Sequence, residues 1–340
     1  MLHQIPVEPH IALGVRIMHT GLALGRRMTH TTRMTHTTRM RRHTLLALLL
    51  AIATVAWGQA NVVSLSAPLT ETVYLLGEQA RLAAVSDTSV FPEKAVADQL
   101  AGKVLVLSFP QPNMAVIDAL HPALILTSTA FQRALAAQLR EKGYTVLHFE
   151  PASMEEVFRQ TEKIGEALGK SREALQITAG MRRDLADIAA QSAKLPRVRV
   201  YMEINHMGPW TSGADSPENE MIRIAGGENI FADRRAGVFV TTHAEVVRRN
   251  PEVILSPIWL KAKVGGIDGI TTLAEIISRP GYSGTAAVTN SRVLYYDSAL
   301  VKHQGPREIL AIRKLAYLLH PEAFENPPGT IPWELGRVRQ

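Results

Sequence analysis

The sequence predicts an α/β protein of two α/β lobes, each with a mainly parallel sheet, joined by one long interdomain helix. Three observations carry that reading. Apolar runs of strand length alternate with helical patterns before residue 150. Residues 153–193 then read as helix almost throughout, and a second α/β alternation begins after Pro196.

In the first lobe (61–152) the strand candidates are Val62–Leu65, Leu82–Val85, Val104–Ser108, Ala123–Thr127 and Thr145–Phe149, with helical patterns such as Thr70–Leu76 and Phe131–Glu141 between them. The linker (153–195) breaks only near Gly169-Lys170-Ser171. Ser171 is placed to N-cap the longer helix after the break, in which Leu175, Met181, Leu185 and Ile188 recur at helical spacing. A helix of about 23 residues there would run about 35 Å, long enough for a rod between lobes. In the second lobe (196–325) strands fit Val198–Ile204, Val253–Leu255 and Val293–Tyr296. Helices fit Glu218–Ala225, Ala244–Arg249, Leu273–Ser278 and Arg307–Leu319. Gly226-Gly227 should stop the first of these, because a left-handed C-cap favours a residue without Cβ. Pro327, Pro328 and Pro332 mark 326–340 as a tail over the surface.

The start of the chain reads as an address. Met40-Arg41-Arg42-His43 is a basic region, Leu45–Trp57 an apolar run, and Gly58-Gln59-Ala60 a small-residue cleavage site. About 13 apolar residues fall short of the roughly 20 that span a bilayer, so 40–60 is expected to be a cleaved secretory signal; an uncleaved anchor is the rival reading. Residues 1–39, with the near-duplicate Arg-Met-Thr-His-Thr-Thr, are expected to be a non-native leader. The formal charge of +6 belongs to this region. Seven of the 37 Lys+Arg and one of the 31 Asp+Glu lie in residues 1–60, leaving 30 of each sign beyond it. The basic balance therefore carries no argument for nucleic acid or anionic membrane. The absence of cysteine removes disulfides, thiolate metal sites, Cys nucleophiles and a lipoprotein anchor, which leaves a Gram-negative periplasm as the expected home.

Enzyme readings find no support. Gly226-Gly227-Glu228-Asn229-Ile230-Phe231 is not a dinucleotide fingerprint, and neither a phosphate-binding P-loop nor a G-x-S-x-G elbow occurs. The six histidines after residue 60 show no close pairing or acidic partner at metal-ligand spacing, so no resident metal is expected.

Four blocks, in order, resemble one family. They are V-V-S-L-S-A-P-L-T-E-T-V-Y-L-L-G (62–77), N-M-A-V-I-D-A-L-H-P-A-L-I-L (113–126), G-P-W-T-S-G-A-D-S-P-E-N-E-M-I-R-I-A-G-G-E-N-I-F-A-D (208–233) and G-P-R-E-I-L-A-I-R-K-L-A-Y-L-L-H-P-E (305–322). Together they are similar to the periplasmic cobalamin-binding proteins of ABC importers, within the helix-hinged class III binding proteins that also serves haem and ferric siderophores. The resemblance implies a monomer that is not an enzyme. It would hold a cobalamin-type corrinoid between its lobes, with haem or a ferric siderophore as alternatives, and deliver it to a permease and its ATPase. A permease-independent receptor or scavenger is the further alternative. Members of the family usually dock through one exposed Glu per lobe. Here those positions hold Ala115 and Ala244, with Glu245 one residue away, which turns a helical side chain by about 100°.

A large planar ligand is gripped by apolar and aromatic surface with a few polar groups to orient it. In open α/β sheets it sits at the carboxyl ends of strands. Candidates on that rule are Ser66, Pro68, Asp87, Phe109 and Ser128 in the first lobe, with Ala67 and Pro110 beside them. The second lobe adds Trp210, Val238, Phe239, Trp259 and His303. Phe109 follows a strand directly. Phe239 lies in a Gly-Val-Phe-Val stretch, expected as a loop, that matches a corrin-contacting region of the family. Each aromatic has core packing as its alternative. His303 has three candidate uses: a hydrogen bond to corrin amides, a pair with a siderophore anion, or ligation of haem iron.

Overall fold

The computed structural model describes residues 62–205, 208–260 and 267–327. The expected leader (1–39), signal segment (40–60) and end of the tail (328–340) lie outside the described residues.

The first lobe runs β1 (Val62–Ser64), α1 (Ala67–Leu75), β2 (Leu82–Ser86), α2 (Glu93–Leu100), β3 (Leu105–Leu107), α3 (Met114–Leu120), β4 (Leu124–Ser128), α4 (Arg133–Glu141) and β5 (Val146–Phe149). All pairings are parallel, in the order β3-β2-β1-β4-β5. Val62 packs with Leu69 and Val73 of α1, whereas Val63 packs with Ile117 of α3 and Leu139 of α4. That two-residue period buries both faces of the sheet and explains why its strands read as continuous apolar runs. The chain winds outward through β2 and β3, then returns across β1 to β4 and β5. The winding reverses between β1 and β4, which opens a crevice at their carboxyl ends.

Two helices connect the lobes, α5 (Met154–Leu168) and the long α6 (Ser171–Ser192). The break falls where expected, with Gly169 capping α5 at φ +74°. Ser171 is not the expected N-cap but the first helical residue; Lys170 stands at the cap position and its side chain does not cap the helix. α5 folds back along α6 as an antiparallel hairpin. Arg182 of α6 binds Glu155 and Glu162 of α5 at 2.7 and 2.9 Å. Its guanidinium stands 4.8 Å from the centroid of the Phe158 ring. Met154, Val157 and Phe158 of α5 join the second-lobe core, while Ile164 and Leu168 join the first-lobe core. α6 does the reverse, with Ala174 in the first core and Met181 and Ile188 in the second. Each helix is anchored in both cores, so the connection acts as a strut.

The second lobe contains β6 (Val198–Met202), β7 (Trp210–Ser212), α7 (Pro217–Ile224), β8 (Gly227–Asn229), β9 (Val238–Val240), α8 (His243–Arg249), β10 (Val253–Leu260), β11 (Ile267–Ile270), α9 (Leu273–Ser278), α10 (Ala286–Thr289), β12 (Val293–Asp297), α11 (Ser298–Val301) and α12 (Glu308–Leu319). β8, β6, β10 and β12 pair in parallel, and β11 lies antiparallel against the far end of β10. Ser216 caps α7 by accepting from Asn219 N, and Gly226 follows the helix at φ +91°, as the Gly-Gly signal implied. The Gly-Val-Phe-Val stretch is not a loop. It forms β9, which pairs antiparallel with β7 as a separate ribbon, Thr211 opposite Phe239 and Trp210 opposite Val240. Alternation of exposed and inward side chains along Val-Phe-Val suits such a half-buried ribbon.

Candidate functional site

The crevice between β1 and β4 is braced from below. Gln132, fully buried, donates from Nε2 to Leu65 O at 2.9 Å and accepts from Ser128 N at 3.0 Å, tying the ends of the two strands together. Ser66 Oγ and Ser128 Oγ then meet across the switch point, 2.5 Å apart. Beside them Thr129 holds φ +69°, a left-handed value costing a β-branched residue about 1–3 kcal/mol. Its buried Oγ1 has no hydrogen-bond partner among the described residues.

Above this floor the lobes enclose a cavity of ≈ 310 Å³. Ser66, Pro68, Phe91, Phe109 and Ser128 face it from the first lobe; Lys302, His303 and Arg307 face it from the β12–α12 stretch. The loop carrying Phe109 is held by Asp87, whose Oδ1 accepts from Phe109 N at 3.1 Å. Lys302 donates to Ile204 O at 2.6 Å, and burial pushes its ammonium down to about 8 against the opposing pull of Glu218. A second cavity, ≈ 360 Å³, opens beside β5 and α5. Its Glu150 is already bound to Arg133 and His148. That wall suits surface ion pairs better than a large apolar ligand.

His303 belongs to a group of three polar side chains. It is buried, its Nε2 is bonded to Glu71 Oε2 of α1, and its Nδ1 lies 3.5 Å from the Arg307 guanidinium. Arg307 Nε donates to the same Glu71 oxygen at 2.9 Å and its guanidinium lies 3.5 Å from the centroid of the Phe91 ring. Burial pushes the Glu71 carboxyl up, but the bond from His303 and the Arg307 charge outweigh it and hold it below the usual carboxylate range.

Of the residues singled out from sequence, Ser66, Pro68, Phe109, Ser128 and His303 meet at this cavity, with Ala67 among them. Asp87 supports it from behind. Trp210 and Val238 lie on the outer face of the β7–β9 ribbon, 40 and 47 % exposed, next to Val240. Phe239 points the other way, edge-on to Phe231 at 5.6 Å and under Arg234 at 4.5 Å. Trp259 sits on β10, its side chain outside the described residues. Sequence reasoning missed Phe91, Lys302, Arg307 and Glu71. The signal for Phe91 was available: Phe91-Pro92 follows the second strand as Phe109-Pro110 follows the third. At the expected docking positions Ala115 and Ala244 are exposed, each in the first turn of its helix. Glu245 is taken by Arg248 at 2.6 Å and Arg249 at 2.7 Å, and these bonds bring its carboxyl down to about 2.

Residues 62–300 match the periplasmic binding protein family. The chain belongs to that family. It is 30 % identical over 274 residues to an uncharacterized ABC transporter substrate-binding lipoprotein of Bacillus subtilis, covering 78 % of this chain and 82 % of that protein. It is 29 % identical over 215 residues to the vitamin B12-binding protein of Yersinia pseudotuberculosis, covering 62 % and 74 %. Among solved structures, the periplasmic heme-binding protein of Roseiflexus sp. RS-1 superposes with a TM-score of 0.65 at 20 % identity, covering 78 % of this chain and 99 % of that one. The protein is thus an ABC transporter substrate-binding protein; such proteins carry ligand to a permease and its ATPase. Among the described residues no helix is long and apolar enough to cross a membrane.

Proposed function

We propose that the protein captures a cobalamin-type corrinoid in the interlobe cavity and presents it to an importer in a periplasm. One observation carries the reading. The cavity lies at the carboxyl ends of β1 and β4, between two phenylalanines on one wall and a row of hydroxyls on its floor, which suits a broad apolar macrocycle with a polar fringe. The likeness to a vitamin B12-binding relative over 215 residues supports the corrinoid. The outer face of the β7–β9 ribbon, with Trp210 and Val238, would extend the apolar contact of a ligand larger than ≈ 310 Å³. Since Glu245 is bound within its own helix, docking to the permease would use other acids.

Calorimetric titration of the purified protein with cyanocobalamin, haemin and a ferric hydroxamate tests this. Submicromolar binding of cyanocobalamin alone is expected. Tight binding of haemin or the hydroxamate with none of cyanocobalamin would overturn the corrinoid assignment.

A further inference from the structure

We propose that Glu71, which does not itself line the cavity, is the positioning residue of the ligand site: it clasps the two lobes together and sets His303 and Arg307 at the cavity wall. The ligand half of this statement rests on the proposed function; the clasp does not.

Glu71 and His303 are 232 residues apart in the chain, on opposite lobes, and both are buried. A carboxylate is buried at high cost unless charge and hydrogen bonds meet it there. Here one oxygen, Oε2, receives both the imidazole and the guanidinium. A guanidinium can only donate, so the Nδ1 edge of His303 faces a donor while its Nε2 edge meets the carboxylate. Both edges of the ring are thus engaged within the triad. Arg307 is likewise held over the ring of Phe91, itself a wall of the cavity.

The surroundings point to a shared purpose. A Cβ on Gly305 would fall 2.5 Å from Cβ of Pro68, so at this loop the lobes already touch and only glycine allows the approach. Gln160 of α5 donates to Gln304 O, and Gln304 donates to Pro151 O, both at 3.2 Å. The loop from Lys302 to Arg307 is therefore pinned to α1 and to the strut, and the ligand-facing side chains ride on it.

The protein contains no cysteine, so Gln138→Cys on α4 and Ala274→Cys on α9, both exposed, can carry spin labels on the two lobes without background. Pulsed dipolar spectroscopy then reads the interlobe distance distribution, and calorimetry with cyanocobalamin, haemin and a ferric hydroxamate reads affinity. Glu71→Gln, which keeps an acceptor but loses the charge, should broaden the distribution. It should also weaken binding of the wild type's ligand by roughly 10- to 100-fold, the scale of loss when a supporting partner leaves a site. An unchanged distribution overturns the clasp. A broadened one with unchanged affinity overturns the positioning role. If the wild type binds none of the three probes, the functional reading fails while the label distances still decide the clasp. Should Glu71→Gln not fold, Gly305→Ala wedges the same contact from the other side and must give the same two changes.

Discussion

The hairpin strut offers a pair of substitutions whose effects should have opposite signs. Gly165 lies in α5 and Gly180 in α6, and both are helical. Replacing glycine by alanine in a helix is worth up to about 1 kcal/mol through propensity alone, and that gain applies to both. The surroundings differ. A Cβ on Gly165 would lie 2.3 Å from the Cβ of Ala174 and 3.0 Å from Lys170 O, whereas one on Gly180 meets only the tip of Arg183 at 3.9 Å. Ordinary contact begins at 3.4 Å, so Gly165→Ala forces the two helices apart by about an ångström. Because both are embedded in both cores, the cost should lie at the upper end of the 1–3 kcal/mol typical of overpacking. Net of propensity, Gly165→Ala should destabilise by about 1–2 kcal/mol and Gly180→Ala should stabilise by about 0.5–1 kcal/mol. Scanning calorimetry, at about 2–4 °C per kcal/mol for a protein of this size, would show the melting points diverge on either side of wild type. If both variants melt higher, Gly165 is not at a helix crossing and the argument for the strut fails.

Phe109→Ala and Phe91→Ala should each weaken cyanocobalamin binding by about 1–3 kcal/mol in calorimetric titration, with unchanged affinity in both arguing against this cavity as the site. Phe239→Ala should instead act on folding, lowering the urea midpoint by an amount equivalent to about 3 kcal/mol, because its ring packs on Phe231; a pure loss of affinity with stability intact would place the ring in the cleft. Glu308 is buried in the first turn of α12, and burial, with Glu218 and Glu220 nearby, holds its carboxyl protonated well above the usual range. A raised folded-state value means that its contribution is fully present below the unfolded value near 4.5 and is lost as pH climbs through the folded one. Urea midpoints of Glu308→Gln should therefore match or exceed wild type and fall less steeply above pH 5; an identical pH slope would refute the assignment.

What could be read from the chain was what depends on near neighbours. Val62 and Val63 alternate between two helical layers because a strand has a period of two, and that period is visible in any window of a few residues. Gly169 and Gly226 end their helices at positive φ for a reason internal to each residue, the missing Cβ. Strand followed by side chain at the carboxyl end was likewise enough to place Ser66, Phe109 and Ser128 at the cavity. The features that the chain did not show share a cause. Phe239 was expected to face ligand, but its direction is set by pairing with β7, and that partner fixes which side of the ribbon packs on Phe231. Lone His303 carried three chemistries in sequence, and the carboxylate that bonds its ring lies 232 residues away. The folding back of α5 on α6 rests on Gly165 meeting Ala174 and on Arg182 reaching Glu155, contacts that no helical period announces. The sequence by itself determined the five strands of the first lobe, the break in the linker and the strand ends that form a cleft, because backbone sterics and local hydrogen bonding decide these. Tertiary structure alone decided which charges meet across the lobes. A buried ion pair depends on the distance between two surfaces, and that distance exists only once both have folded.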